Sequence, residues 1–223
     1  NKPNNKTINI NENVIENNFI KLTLDNGNII GVFDKVQNRN VLSDGGYANK
    51  LVIFEDRPAG ESAWNIDLEY QNKYWELFNT VSVKVVEASC VKGVLRVVKD
   101  FNKSRITQDI TIYNNSTRVD FVTTVEWQET EKLLKAEFDV DVISPKATYE
   151  IAFGAIERPT HWNTWWDKAK FEVPAHKWAD LSEGGYGVSI LNDSKYGYDI
   201  KDSKMRITLL RAPVYPDPVA DKG

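Results

Sequence analysis

The feature that most constrains this chain is a hydrophobic period of two. Val119, Phe121, Val125 and Trp127 alternate with Asp120, Thr124 and Glu126. Ala136, Phe138, Val140 and Val142 alternate with Lys135, Glu137, Asp139 and Asp141, and Ala147, Tyr149, Ile151 and Phe153 with Thr148 and Glu150. Successive side chains on a strand point to opposite faces, so these runs predict half-buried antiparallel strands, one face on a core and the other in water. Turn signals separate them: DNGN at 25–28 joins FIKLTL to IIGVF, and YNNST at 113–117 joins ITQDITI to RVDFVTTV. Further strands are predicted over 81–86, 94–98, 188–191 and 206–210, and Asn192, Asp193 and Gly197 read as a hairpin turn. No window of a dozen residues carries a helical stripe. EWQETEKLLKAEF comes nearest and is read as a short connection between strands.

Many short strands with no fixed-period repeat predict an all-β fold, a large antiparallel β-sandwich rather than a propeller. Residues 1–15 read as a flexible lead-in, 16–223 as the β-sandwich domain, and APVYPDPVADKG as an extended, Pro-rich exit. A chain of 223 residues buries about 70% of its unfolded surface, enough for a sizeable core.

The net charge is −4 with both signs interspersed, so no basic stripe is available for phosphates, and neither nucleic acid nor an anionic membrane surface is expected as a partner. No apolar stretch approaches the ~20 residues needed to span a bilayer, and NKPNNKTINI lacks the apolar core of a signal peptide. The single Cys90, in SCVKGVL, has no internal disulfide partner. It is read as a buried thiol in a reducing compartment, which places the protein in the cytoplasm.

Side chains able to do chemistry concentrate in ERPTHWNTWWDKAKFEVPAHKWADLSE, residues 157–183. Both histidines, His161 and His176, lie there with four of the seven tryptophans (Trp162, Trp165, Trp166 and Trp178), interleaved with Asp167, Glu172, Asp180 and Glu183. A serine or cysteine hydrolase needs a nucleophile beside its base; there is no G-x-S-x-G elbow, and Cys90 has no activating setting. The histidines are fifteen residues apart across Pro174, without the close spacing of a zinc motif. No metal site is therefore assigned to this chain. A glycosidase needs two carboxylates about 5–5.5 Å apart for retention or about 6.5–9.5 Å for inversion, and acids are too abundant here to single out a pair.

The remaining readings of the tryptophans are a core between sheets or a sugar platform, where indole rings pack on pyranose C–H faces while polar side chains bond the hydroxyls. Adjacent Trp165 and Trp166 cannot both point inward from an extended segment, so one is expected on a surface or at an interface. Arg211 ends an apolar strand before Ala-Pro, and its guanidinium turns either inward to a carboxylate or outward to a ligand.

These blocks resemble a known family. FGAIERPTHWNTWWDKAKFEVPAHKWADLSE, GYGVSILNDSKYGYDI and LLRAPVYPDPVADKG resemble the C-terminal β region of family 38 glycoside hydrolases, the class II α-mannosidases, in their bacterial and vacuolar/cytosolic branch. NKLVIFEDRPAGESAWNIDLEY and FIKLTLDNGNIIGVFDK extend the resemblance from about residue 17 onward, with ESAWNI standing where the family carries a more acidic W-D-A-W-D-I. The resemblance implies a galactose-mutarotase-like super-sandwich. It also implies a parent enzyme that removes terminal α-linked mannose from glycans with retention, using zinc. The zinc ligands and catalytic carboxylates belong to an α/β domain that this chain lacks, so no catalytic residue and no cofactor is assigned to it, and the isolated chain is expected to be inactive. Its partners are then that catalytic domain and α-mannosides. Trp64 and Arg211 match substrate-side positions, an aromatic ledge and a hydroxyl-binding guanidinium. Arg158, His161, Trp165, His176 and Asp180 match scaffold and interface positions. The alternative is an independent carbohydrate-binding module that uses the Trp-rich surface.

Overall fold

Antiparallel pairing organises the chain throughout. The computed structural model describes residues 8–214. In chain order these form β1 (Asn9–Ile10), β2 (Val14–Glu16), β3 (Ile20–Asp25), β4 (Asn28–Asp34), β5 (Arg39–Asn40) and β6 (Lys50–Glu55). A 3-10 helix (Leu68–Asn72) precedes β7 (Tyr74–Glu76), β8 (Ser82–Ala88), β9 (Lys92–Phe101), β10 (Ser104–Tyr113) and β11 (Val119–Glu126). Then come β12 (Lys132–Asp139), β13 (Lys146–Ile151), β14 (Gly154–Pro159) and the one-turn helix α1 (Trp165–Lys168). The last strands are β15 (Val173–Pro174), β16 (Trp178–Glu183), β17 (Tyr186–Leu191), β18 (Gly197–Lys201) and β19 (Lys204–Ala212). The fold is all-β, as the alternation predicts.

Two compact units divide these elements. The first comprises the described residues up to Val41 together with 77–129, and holds the sheets β1-β2-β3-β4-β5 and β11-β10-β9-β8. Its predicted hairpin turn at DNGN is present, with Asn26 and Gly27 both at positive φ (44° and 74°), as a tight hairpin requires. A Cβ on Gly27 would lie 2.8 Å from Val97 Cγ1, so the turn also needs glycine's missing side chain. The core is built from the inward sets of each strand: Leu22 and Leu24, Leu95 and Val97, and Ile106, Ile110 and Ile112 are all buried. Full burial of each such side chain is worth roughly 1.5–3 kcal/mol.

The second unit, Leu42–Glu76 and the residues from Thr130, holds the six-stranded sheet β15-β18-β19-β12-β6-β7 and the four-stranded sheet β14-β13-β16-β17. One face of its central strand β12 is apolar, through Leu134 and Ala136. The other carries Leu133, Lys135 and Glu137, and it is buried too. Here the structure departs from the expectation that Lys135 and Glu137 face water. The physical reason is that the polar face of the strand is covered by Tyr70 of the 3-10 helix and by Phe171 and Glu172, and its charges neutralise one another.

Other expectations are corrected. EWQETEKLLKAEF is mostly strand β12, with a connection only at 127–131. Residues 192–196 do not make a hairpin, because β17 pairs with β16 while β18 pairs with β15 and β19, so the segment crosses between sheets. Phe153 leaves the strand and sits fully exposed at the β13–β14 turn with φ 61°. Cys90 is exposed, because Ser89 Oγ accepts from the Val91 and Lys92 amides and turns the chain there. Of the stretch read as a lead-in, residues 8–15 contain β1 and the start of β2, with Ile8 and Ile15 buried; residues 1–7, and residues 215–223 of the Pro-rich exit, lie outside the described residues. No helix among the described residues is long and apolar enough to cross a membrane.

Candidate functional site

Beyond β6 the chain leaves the sheet as a loop, 56–67, that returns into the 3-10 helix. Asp56 opens it. Its amide donates to the Glu131 carbonyl at 2.9 Å, and the residue is wholly buried. A carboxylate in that position requires a cation, and Arg211, from the end of β19, supplies it: Nε donates to Oδ2 at 2.5 Å and Nη2 to Oδ1 at 3.1 Å. The same Nη2 donates to the Asn65 carbonyl. Arg211 therefore closes the neck of the loop, gripping its first residue and the residue after Trp64.

The two substrate-side residues anticipated from the sequence, 147 positions apart, are thus brought to one place. Of the two directions left open for Arg211, the structure takes the inward one, toward a carboxylate. Among the described residues Nη1 has no hydrogen-bond partner. Trp64 is 66% exposed. The loop is shaped from within by Ala59 donating to Asp67 Oδ2 at 2.8 Å, by Trp64 and Asn65 donating to the Glu61 carbonyl, and by Glu61 itself at φ 52°. Val214 N donates to Ser62 Oγ at 3.3 Å. A cleft of about 510 Å³ opens beside the loop, lined among others by Glu55, Asp56, Asp67, Glu69 and Tyr70.

Across the same six-stranded sheet runs a ladder of charge. Register places Lys50, Glu137, Arg206 and Asp199 side by side across β6, β12, β19 and β18, the arrangement in which cross-strand partners meet. They alternate in sign and touch in sequence: Lys50 Nζ to Glu137 at 2.6 Å, Arg206 Nε to Glu137 at 2.6 Å, and Arg206 Nη1 to Asp199 at 3.1 Å. Lys204 adds a further bond to Glu137 at 2.7 Å. Burial alone would raise the Glu137 pKa, but the Arg206 charge and the bonds from Lys204, Lys50 and Arg206 overcome it and push it down to about 2.

One row along, Lys135 is completely buried and donates to Glu172 Oε2 at 2.5 Å and Asp199 Oδ2 at 2.7 Å. The Tyr70 ring lies 5.4 Å from its ammonium, and the Tyr70 hydroxyl sits 3.1 Å from Glu172 Oε2 and 3.4 Å from Asp199 Oδ2. Burial opposes the Lys135 charge, yet Asp199 and Glu172 outweigh it and hold the ammonium protonated, above the ordinary lysine range. Asp199 shares two cations, whereas Glu172 shares only Lys135 and is otherwise met by the Tyr70 and Thr208 hydroxyls. Burial accordingly raises the Glu172 carboxyl above its usual range. Burial raises the Tyr70 phenol as well, so it remains a donor.

The other anticipated residues lie on or beside the four-stranded sheet. Arg158, on β14, stacks over the Tyr149 ring at 4.8 Å, and its buried Nη1 has no hydrogen-bond partner; burial lowers its pKa. His161 has a buried, unbonded Nδ1 that lies 3.6 Å from Asp167 Oδ2, beyond hydrogen-bond reach. Trp165 and Trp166 are each 82% exposed. Where one was expected at the surface, both are, because α1 is a single turn with no buried residue, fixed by a Thr164–Asp167 capping box. His176 is exposed; its amide donates to the Glu150 carbonyl, its own carbonyl accepts from Asn192 and Tyr198, and its ring meets Tyr196 edge-on at 5.9 Å. Asp180, on β16, accepts from the Ser182 and Ser189 hydroxyls.

Asp56, Tyr70, Lys135, Glu137 and Asp199 were not legible as site residues. Lys135 and Glu137 follow the solvent phase of an alternating strand, and Glu172 stood out only as one acid among several. The available signal is Leu133, an apolar residue on the polar phase of KLLKAEFD, which marks that face as covered.

Comparison with known proteins bears on the whole chain. The family model described as "Glycosyl hydrolases family 38 C-terminal domain" matches residues 15–219. Alpha-mannosidase G of Dictyostelium discoideum is 40% identical over 217 residues, which cover 94% of this chain and 20% of that protein. Alpha-mannosidase 2C1 of Homo sapiens is 37% identical over 212 residues, with the same shares of each. A solved alpha-mannosidase from Enterococcus faecalis V583 has the same fold over 93% of this chain and 27% of its own, with TM-score 0.77 at 16% identity. The chain spans about a fifth of the length of the curated relatives it matches.

Proposed function

Because the chain belongs to the glycosyl hydrolase family 38 C-terminal domains, we propose that it is the C-terminal β region of a retaining, zinc-dependent α-mannosidase that hydrolyses terminal α-linked mannose. In this reading it packs on the enzyme's catalytic domain and helps shape the sugar site without supplying the chemistry. The reading of the chain as a large antiparallel β-sandwich belongs to the same proposal, and what supports it in the second unit is Tyr149 of one sheet meeting Tyr198 of the other edge-on at 6.2 Å. Among the described residues no group of three His, Cys, Asp or Glu is placed to hold the zinc ion. Its ligands are assigned to the remainder of the parent, which we place in the cytoplasm on the strength of an exposed free thiol at Cys90.

The observation that carries the sugar-side role is the Arg211 clasp, in which a guanidinium grips the carbonyl of the residue that follows the exposed Trp64. An aromatic face suits the C–H side of a pyranose, and a fixed guanidinium suits its hydroxyls. On aryl α-mannosides the isolated chain gives no turnover. In the full-length polypeptide Trp64→Ala lowers kcat/KM by about ten- to a hundredfold. Turnover by the isolated chain, abolished by Trp64→Ala or Arg211→Ala, refutes this division of labour.

The exposed Trp165–Trp166 pair favours a second reading, an independent carbohydrate-binding module. Titrating mannose oligomers while following tryptophan fluorescence separates the two. Micromolar binding that is lost in a Trp165→Ala/Trp166→Ala variant supports the module, and silence supports the scaffold.

A further inference from the structure

The loop that carries Trp64 ends in a helix with little reason of its own to exist. Leu68–Asn72 is five residues of 3-10 geometry, with no side-chain cap on Asp67 and one buried residue, Tyr70. A helix this short does not persist without tertiary anchorage, and Tyr70 is that anchorage. Its ring packs edge-on against Phe54 at 5.2 Å and beside Phe171 at 6.4 Å, over the buried patch of Val52, Phe54 and Leu133. Its hydroxyl enters the carboxylates around Lys135.

A lysine at the centre of that patch is costly as a device for stability alone, because buried ion pairs are often matched or exceeded by apolar side chains of similar volume. What Lys135 adds is direction. It gathers Glu172 and Asp199 on one point, and so creates the acceptors that Tyr70 meets from the loop side.

We propose that Tyr70, seated on the buried Lys135 ammonium, is a positioning residue that fixes loop 56–67, and with it Trp64, against the Arg211 clasp. The clasp holds the neck, through Asp56 and Asn65, and Tyr70 holds the far end three residues beyond Asp67. Its importance for catalysis rests on the sugar-side reading of Trp64 and Arg211; its hold on the loop does not.

Tyr70→Phe tests this directly, since it keeps the ring packing and removes only the hydroxyl. Hydrogen exchange at the amides of 57–67 quickens about tenfold in this variant, the loss expected for one buried hydrogen bond, while β12 and β19 are unchanged. Lys135→Met has the same or a larger effect on the same amides; should that variant fail to fold, Tyr70→Phe decides alone. Unchanged exchange at 57–67, or equal acceleration in β12 and β19, overturns the proposal.

In the full-length polypeptide Tyr70→Phe raises KM for an aryl α-mannoside severalfold with kcat retained. Lower kcat at unchanged KM signals lost folded enzyme and overturns the positioning role. If Trp64→Ala leaves kcat/KM untouched while Tyr70→Phe still loosens the loop, the sugar-side reading fails and the positioning stands.

Discussion

Replacing Lys135 by Met is the sharpest perturbation this fold offers. The side chain is fully buried, and its ammonium lies 2.5 Å from Glu172 and 2.7 Å from Asp199. After the substitution Asp199 keeps Arg206 at 3.1 Å, but Glu172 keeps only the hydroxyls of Tyr70 and Thr208. Glu172 is then a buried carboxylate without a cation. Removing one partner of a buried pair costs about 3–5 kcal/mol, against an overall stability of about 5–15 kcal/mol for a typical domain. The stranded carboxyl can escape by taking up a proton, and each pH unit of that uptake is worth about 1.4 kcal/mol. The deficit is therefore larger at pH 7 than at pH 5, by at most about 3 kcal/mol over those two units.

Lys135→Met/Glu172→Gln, which removes the stranded charge, recovers at least about 2 kcal/mol of the single variant's loss. Urea unfolding followed by tryptophan fluorescence, at pH 5 and pH 7 for the wild type, single and double variants, measures all of this. A deficit under about 1 kcal/mol at pH 7, a deficit equal at both pH values, or a double variant no better than the single one would falsify the account of the cluster.

Three further outcomes follow from the same physics. Glu137, at about 2 against an ordinary 4.5, contributes stability that is fully present above pH 4.5 and lost as pH falls toward 2; Glu137→Gln flattens that acid limb and costs about 3 kcal/mol at neutral pH. Lys99 is buried against neutral partners, Asn28 Oδ1 and the Leu77 carbonyl, and burial pushes its pKa down to about 8 from 10.5. The unfolded chain binds more protons between those values, so stability rises with pH across that window, by up to about 3 kcal/mol, and Lys99→Met abolishes the rise in a pH series of denaturation curves. Phe153→Gly relieves the positive φ of an exposed Phe and raises stability by about 1 kcal/mol, read as a higher urea midpoint.

How far the fold was legible depended on how local its causes are. DNGN folded as read because an Asn-Gly step satisfies positive φ by itself. Arg206–Leu210 and Val188–Leu191 were readable as strands because β-branched residues in alternation need no distant partner to prefer extension. EWQETEKLLKAEF misled because Lys135 and Glu137 fall on the polar phase of the alternation, whereas β12 buries both. Cys90 misled because its apolar neighbours suggested a core position that the Ser89 turn prevents. For the candidate site, Trp64 and Arg211 were nameable from resemblance, but nothing local said that Arg211 would grip the residue after Trp64.

The sequence by itself determined an all-β, strand-rich chain with its hairpin turns, and the long blocks that tie it to its family. Periodicity and turn chemistry act over a few residues, so one-dimensional order suffices for them. Tertiary structure alone decided that Asp56 and Arg211, 155 positions apart, would close one loop. It also decided that Lys50, Glu137, Arg206 and Asp199 would align across four strands, and that Tyr70 would rest on Lys135. Charges are costly to bury singly and tolerable only as a matched set. Which residues form that set is fixed by strand register and by what covers the sheet, and neither is a property of any short stretch of chain.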